Sequence, residues 1–202
     1  MPDKFKNKYR INSARLQSWD YANNAAYFIT ICTKYREHYF GEIADDEMHL
    51  NEIGKFTEQE WIKTPEFRPD MNLELGEFVV MPNHFHGIII IGENQYNKRF
   101  DTPTVSTRRD AMHGVSTNNI NDIKNKFGPQ SKNLGSIIRG FKSSVTTQAK
   151  KLDKDAMHCV FTDFAWQPRF HDHIIRDAES FERIQNYIAN NPKNWKDDKF
   201  YS

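Results

Sequence analysis

Leu73-Glu-Leu-Gly-Glu-Phe-Val-Val-Met-Pro-Asn-His-Phe-His-Gly-Ile-Ile-Ile-Ile91 decides the fold. Leu73 to Met81 is rich in strand-forming residues, and Pro82-Asn83 is a tight turn. His84 to Ile91 is a second strand, apolar on both faces toward its end, as a central strand of a sheet is. The turn fixes where that strand begins. Side chains alternate across a strand, so His84 and His86 project from one face.

Upstream, Tyr27-Phe-Ile-Thr-Ile-Cys-Thr33 reads as another buried strand. His38 to Leu50 reads as a hairpin turning at Ala44-Asp-Asp-Glu47. Asn51 is placed to cap a helix running to about Lys63, with Ile53, Phe56 and Trp61 facing inward and Pro65 stopping it. Leu134, Ile137, Ile138, Phe141, Val145 and Leu152 recur at helical spacing. Val160 to Ile175 holds strand material, expected around Trp166-Gln-Pro-Arg-Phe170. Asp177 caps a last helix with Phe181, Ile184 and Ile188 as its apolar stripe, ended by Pro192. The first six main elements form a βαββαβ unit. The expected class is α+β and ferredoxin-like: an antiparallel four-stranded sheet with helices on one face and an extra C-terminal helix.

A chain of 202 residues accommodates one domain, expected here as 1–202. It can bury roughly 70% of its unfolded surface and needs no disulfide or metal to fold. Cys32 and Cys159 are its two cysteines, which predicts reduced thiols and a cytoplasmic setting. No apolar run reaches the length of a membrane span, and the N-terminus has no apolar region of a secretory signal. The net charge of +1 conceals segregation. Residues 35–80 carry four Lys/Arg against twelve Asp/Glu, and residues 98–151 carry eleven against three. The basic stretch is a candidate anion-binding surface, nucleic acid being the obvious partner, although a solvated basic loop and helix face reads the same. Residues 93–133 hold many Asn, Thr and Ser with no sustained period, and are expected to form a mobile basic insertion.

Three groups could carry chemistry. His84 and His86 are spaced to share a divalent metal, though two histidines on a strand also serve as plain core or surface residues. Tyr187 and Asn191 are four apart on the last helix, Asn191 beside the apolar stripe and Tyr187 at its edge. A buried Asn needs partners for its amide, and a metal held by the histidines would be one. An Asn at that place could instead cap its own helix, and the Tyr could be amphipathic packing. Phe170-His-Asp-His-Ile-Ile-Arg176 holds a second pair, His171 and His173, with Asp172 able to orient an imidazole and Arg176 able to hold a phosphate. A strand edge facing solvent would look the same.

Together, Tyr27–Thr33, Val79-Val-Met-Pro-Asn-His-Phe-His-Gly-Ile88, Trp166-Gln-Pro-Arg-Phe-His-Asp-His-Ile-Ile-Arg176 and Tyr187-Ile-Ala-Asn-Asn-Pro-Lys-Asn-Trp195 resemble the single-tyrosine HUH transposases, most closely their REP-associated branch. Arg15-Leu-Gln-Ser-Trp-Asp-Tyr21 fits as well. The resemblance spans most of the chain outside 93–133. It implies a HUH nuclease core in which His84 and His86 hold Mg²⁺ or Mn²⁺ and Tyr187 is the nucleophile. Asn191 stands where relatives place a third ligand, often the longer Gln. The implied activity is cleavage and rejoining of hairpin-bearing single-stranded DNA through a 5′-phosphotyrosine, by a monomer or homodimer and without a membrane. Arg139, Lys142 and Arg176 are the candidate phosphate contacts. Two rivals remain open: a domesticated, non-catalytic binder of DNA hairpins, and a metal hydrolase that uses water instead of tyrosine.

Overall fold

The structure is a computed structural model. It describes residues 16, 18–97, 131–155 and 163–201, together with two short N-terminal strands. The elements run β1 (Lys4–Phe5), β2 (Lys8–Tyr9), β3 (Ala25–Cys32), β4 (Gly41–Ala44), β5 (Glu47–Leu50), α1 (Glu52–Ile62), β6 (Leu73–Met81), β7 (His84–Ile91), α2 (Leu134–Asp155), β8 (His171–Ile175) and α3 (Ala178–Ala189). Among them, β6-β7-β3-β8 form one antiparallel sheet in that order. Strand β7 lies between β3 and β6, and β3 lies between β7 and β8. The connections through α1 and α2 therefore interlock, which is the ferredoxin-like arrangement.

Local sequence explains most of these boundaries. The β4–β5 hairpin turns at Asp45 and Asp46, both in left-handed backbone (φ 51° and 62°), which short Asp side chains tolerate. The Asn51 carboxamide accepts from the Gly54 N–H at 2.9 Å and starts α1. Asp177 does the same for α3 through Ser180 N–H at 2.7 Å. One expected strand is displaced. Trp166 makes only an isolated bridge to Thr33, and the ladder with β3 begins at His171. Pro168 has no N–H to give a ladder, whereas His171–Ile175 pairs residue for residue with Ala26–Thr30.

The sheet separates two apolar layers. On one face, Tyr27, Ile29, Ile31, Phe85 and Ile89 pack with α1 through Ile53 and Trp61, and with α2 through Leu134, Ile137, Ile138, Phe141 and Val145. On the other, Ile88 and Ile175 meet Ile188 of α3, with Phe28, Val79, Phe181 and Ile184 around them. A bulge serves this second layer: Gly76 and Glu77 together oppose Ile88. A side chain at Gly76 would bring its Cβ to 2.9 Å from the Ile88 Cβ and 3.5 Å from Phe181, so glycine lets α3 approach the sheet.

Residues 98–130 of the 93–133 insertion lie outside the described residues, so its expected mobility does too. Its roots are clamped. Tyr96 Oη donates to Asp70 Oδ2 at 2.6 Å, and the Lys132 ammonium pairs with the same oxygen. No helix among the described residues is long and apolar enough to cross a membrane.

Candidate metal centre and tyrosine

The site grows from the start of β7. His84 and His86 face the α3 side of the sheet, 0% and 1% exposed, with ring centroids 4.5 Å apart. Neighbours orient each ring. Asn83 Nδ2 donates to the Phe200 carbonyl at 2.9 Å, which fixes its amide and leaves Oδ1 to accept from His84 Nδ1 at 2.8 Å. His84 Nε2 is then a lone pair, buried and without a hydrogen-bond partner. His86 is placed from the next strand: its Nδ1 lies 2.9 Å from Thr30 Oγ1, its register partner on β3. Its Nε2 lies 3.3 Å from Tyr187 Oη.

Asn191 is 1% exposed and completes the pocket. It does not lie on α3 as the spacing predicts; α3 ends at Ala189 and Asn191 occupies the following turn. Asn190 takes the capping duty, its Nδ2 donating to the Asn186 carbonyl at 2.8 Å, and Asn194 Nδ2 donates to Asn190 O at 3.0 Å. Freed from capping, Asn191 turns inward. Its Nδ2 donates to Asp198 Oδ2 at 2.8 Å, which leaves its buried Oδ1 without a partner and its carboxamide against His84. Two buried acceptors, His84 Nε2 and Asn191 Oδ1, thus share a pocket without a donor for either. A cation would satisfy both.

Asp198, which the sequence pattern does not single out, supplies the negative charge. One ligand atom each from His84, His86 and Asp198 lies within 4.8 Å of the others. Asp198 Oδ2 also accepts from Tyr187 Oη at 3.1 Å. It arrives on the segment after α3, which lies over the histidines. Phe200 packs 4.7 Å from the His84 ring, Trp195 packs 5.9 Å from it, and Arg36 donates to the Lys199 carbonyl at 2.8 Å. Nothing periodic marks such a segment. The only local signal is its position shortly after Trp195. Asn83 and Thr30 were likewise legible only as neighbours of the histidines.

Burial sets the protonation states. It pushes the His84 imidazole down to about 3, helped by the Arg36 charge. Burial, then His84 itself, holds His86 well below its ordinary value. Both rings are therefore neutral near pH 7, the form that binds metal. Tyr187 is 41% exposed, and burial of its hydroxyl together with Asp198 raises its pKa well above the ordinary phenol value. The phenol therefore stays protonated until something draws its proton away.

The candidate phosphate contacts do not all gather here. Helix α2 carries Arg139 and Lys142 on the opposite side of the sheet, and the half-buried Lys142 ammonium is bonded to the Gln167 carbonyl at 2.5 Å. Burial lowers its pKa to about 8. Arg176 is exposed at the junction of β8 and α3. His171 and His173 are exposed on β8 and stand outside the ligand cluster.

Fold and site together define a ferredoxin-like α+β protein with a His–His–Asp pocket beneath a tyrosine. The chain belongs to one family with a Haemophilus influenzae protein described as uncharacterized, 37% identical over 189 residues that cover 94% of this chain and 92% of that one. No protein-family profile matches it. Among solved structures, a REP-associated tyrosine transposase bound to a REP hairpin aligns over 90% of this chain and 73% of that one, at 16% identity and a TM-score of 0.49. A Deinococcus radiodurans protein provisionally called a transposase aligns over 89% and 97%, at 13% identity and a TM-score of 0.38.

Proposed function

We propose that this chain is a metal-dependent tyrosine transposase that nicks and rejoins single-stranded, hairpin-bearing DNA. The observation that carries the reading is the pair of orphaned buried acceptors, His84 Nε2 and Asn191 Oδ1, beside a tyrosine hydroxyl 3.3 Å from His86 Nε2. A binding protein needs neither.

His84, His86, Asp198 and Asn191 would hold the metal. A mixed set of imidazole nitrogens and oxygens suits Mn²⁺ better than Mg²⁺, which prefers oxygen alone. When bound, such an ion would supply Lewis-acid polarisation of a non-bridging phosphate oxygen. The chain's own residues do the rest. Tyr187 Oη attacks the scissile phosphorus, the bond to the 3′-oxygen breaks, and that oxygen leaves and takes up a proton. The result is a 5′-phosphotyrosine and a free 3′-hydroxyl, so the bond is conserved for rejoining. Asp198 Oδ2, already accepting from Tyr187 Oη, is the first acceptor available to the phenolic proton. Thr30 and Asn83 keep the imidazoles in place.

The test is covalent trapping. The protein is mixed with end-labelled hairpin DNA from beside its own gene and Mn²⁺, then run on denaturing gels. A denaturant-resistant adduct, lost in Tyr187→Phe and in His84→Ala, is expected. Cleavage that survives Tyr187→Phe would point to water as nucleophile. A salt-dependent mobility shift with no adduct would point to a non-catalytic hairpin binder.

A further inference from the structure

The second histidine pair has no part in the chemistry above, yet the sheet brings it to the same surface. In the ladder between β3 and β8, His171 stands opposite Thr30 and His173 opposite Phe28. Side chains directly opposite share a face, so both imidazoles emerge on the α3 side. Thr30 touches His86 Nδ1. Phe28 packs 5.2 Å from the His86 ring and edge-on to Tyr187 at 6.2 Å.

Two rows of side chains therefore run from the site to the sheet edge: His86–Thr30–His171 and Tyr187–Phe28–His173. Two inter-strand steps separate β7 from β8, about 10 Å. Helix α3 packs chiefly on β6 and β7, and its Ile188 reaches Ile175 at the end of β8. His171 and His173 are exposed, and the outer edge of β8 has no strand partner among the described residues. Asp172 between them points to the other face by strand alternation. Among the described residues, none of the side chains in the two rows is a carboxylate; Asp198 lies at the site end, bonded to Tyr187, and the exposed Arg176 follows at the other end.

We infer that this strip seats the single-stranded nucleotides flanking the scissile phosphate, with bases stacked on His171, His173 and the Phe28 edge. The inference rests on the proposed DNA cleavage and names where that substrate continues. The chemistry fits: flat rings without negative charge, continuous with the nucleophile, offer a stacking platform that tolerates any base. A backbone phosphate beside it can meet Arg176.

The test uses the full chain, Mn²⁺ and a fluorescein-labelled hairpin from beside its gene, made with and without a single-stranded flank of about ten nucleotides, within the span such surfaces cover. Dissociation constants for both DNAs, and the Tyr187 adduct at saturating DNA, are read for wild type, His171→Ala/His173→Ala and His171→Phe/His173→Phe. Both positions are exposed, so the variants keep the fold. Wild type is expected to hold the flanked hairpin more tightly than the bare one. The alanine variant should lose about ten- to hundredfold on the flanked hairpin alone. The phenylalanine variant should recover, because a phenyl ring keeps the stacking face. Equal affinity of wild type for the two DNAs, equal loss on both, or no loss at all overturns the strip. Flank-specific loss in a protein that forms no adduct would sink the tyrosine chemistry and leave the strip standing.

Discussion

His84 keeps a lone pair at Nε2 only while it is neutral, and burial is what keeps it neutral. That has a cost which a pH series reads directly. The unfolded chain protonates histidine near 6.5, but folded His84 resists protonation until about 3. Between those values the unfolded state binds more protons, so stability falls as pH falls. The loss begins below about 6.5 and accumulates at about 1.4 kcal/mol per pH unit for this one ring. His86 is depressed in the same direction and adds to it. Urea midpoints of the chelated protein should drop between pH 7 and pH 5, mostly above the range where carboxylates titrate. His84→Asn should flatten the slope; an equal slope in that variant would mean that His84 is not the buried neutral ring described. Residues with a motif around them, His84, His86 and Tyr187, were legible in the sequence. Asp198 was not, because its place comes from the path of a non-periodic segment across the site. Asn191 was legible as a candidate, but not its position in the turn beyond the helix.

At the scale of elements, Tyr187 is only as well placed as α3, and α3 rests on a thin apolar layer. Ile188 is its fully buried contact, and Phe181 and Ile184 are partly covered. The bulge at Gly76 sets how closely that helix lies. Gly76→Ala would put a Cβ 2.9 Å from Ile88 and 3.5 Å from Phe181, both in the layer beneath α3. Overpacking of this kind costs about 1–3 kcal/mol. The expected outcome is slower adduct formation with Mn²⁺ affinity lowered less, since His84 and His86 ride on β7 and only Asn191 and Asp198 follow α3. Single-turnover trapping beside a Mn²⁺ titration separates the two; equal losses would show that the helix and the ligand pocket move as one unit. The helix itself was readable from Asp177 and its apolar stripe, and α1 from Asn51. The last sheet strand was misplaced because Trp166 to Phe170 looks more like a strand than His171 to Ile175 does. An edge strand with one open face can afford His-Asp-His, whereas Pro168 cannot join a ladder.

For the whole molecule, the sheet is a partition between a structural side and a chemical side. Among the described residues, the larger core with α1 and α2 shares no side chain with the apolar layer under α3; the strands present alternate residues to each. Stability and metal binding should therefore vary independently. Metal that binds only the folded state adds about 2.7 kcal/mol at a hundredfold excess over its Kd. In a chain of this size that raises Tm by roughly 5–11 °C. Ile138→Val, fully buried on α2, should cost about 0.5–1.5 kcal/mol and lower Tm with and without Mn²⁺ by the same amount, leaving the metal-induced increment intact. His84→Ala should abolish the increment. Thermal melts of the three proteins at several Mn²⁺ concentrations decide the matter, because substitutions on separated, unshared contacts add. An increment that shrinks in Ile138→Val would mean that packing behind the sheet helps set the ligand geometry in front of it, and the two faces would have to be treated as one cooperative site.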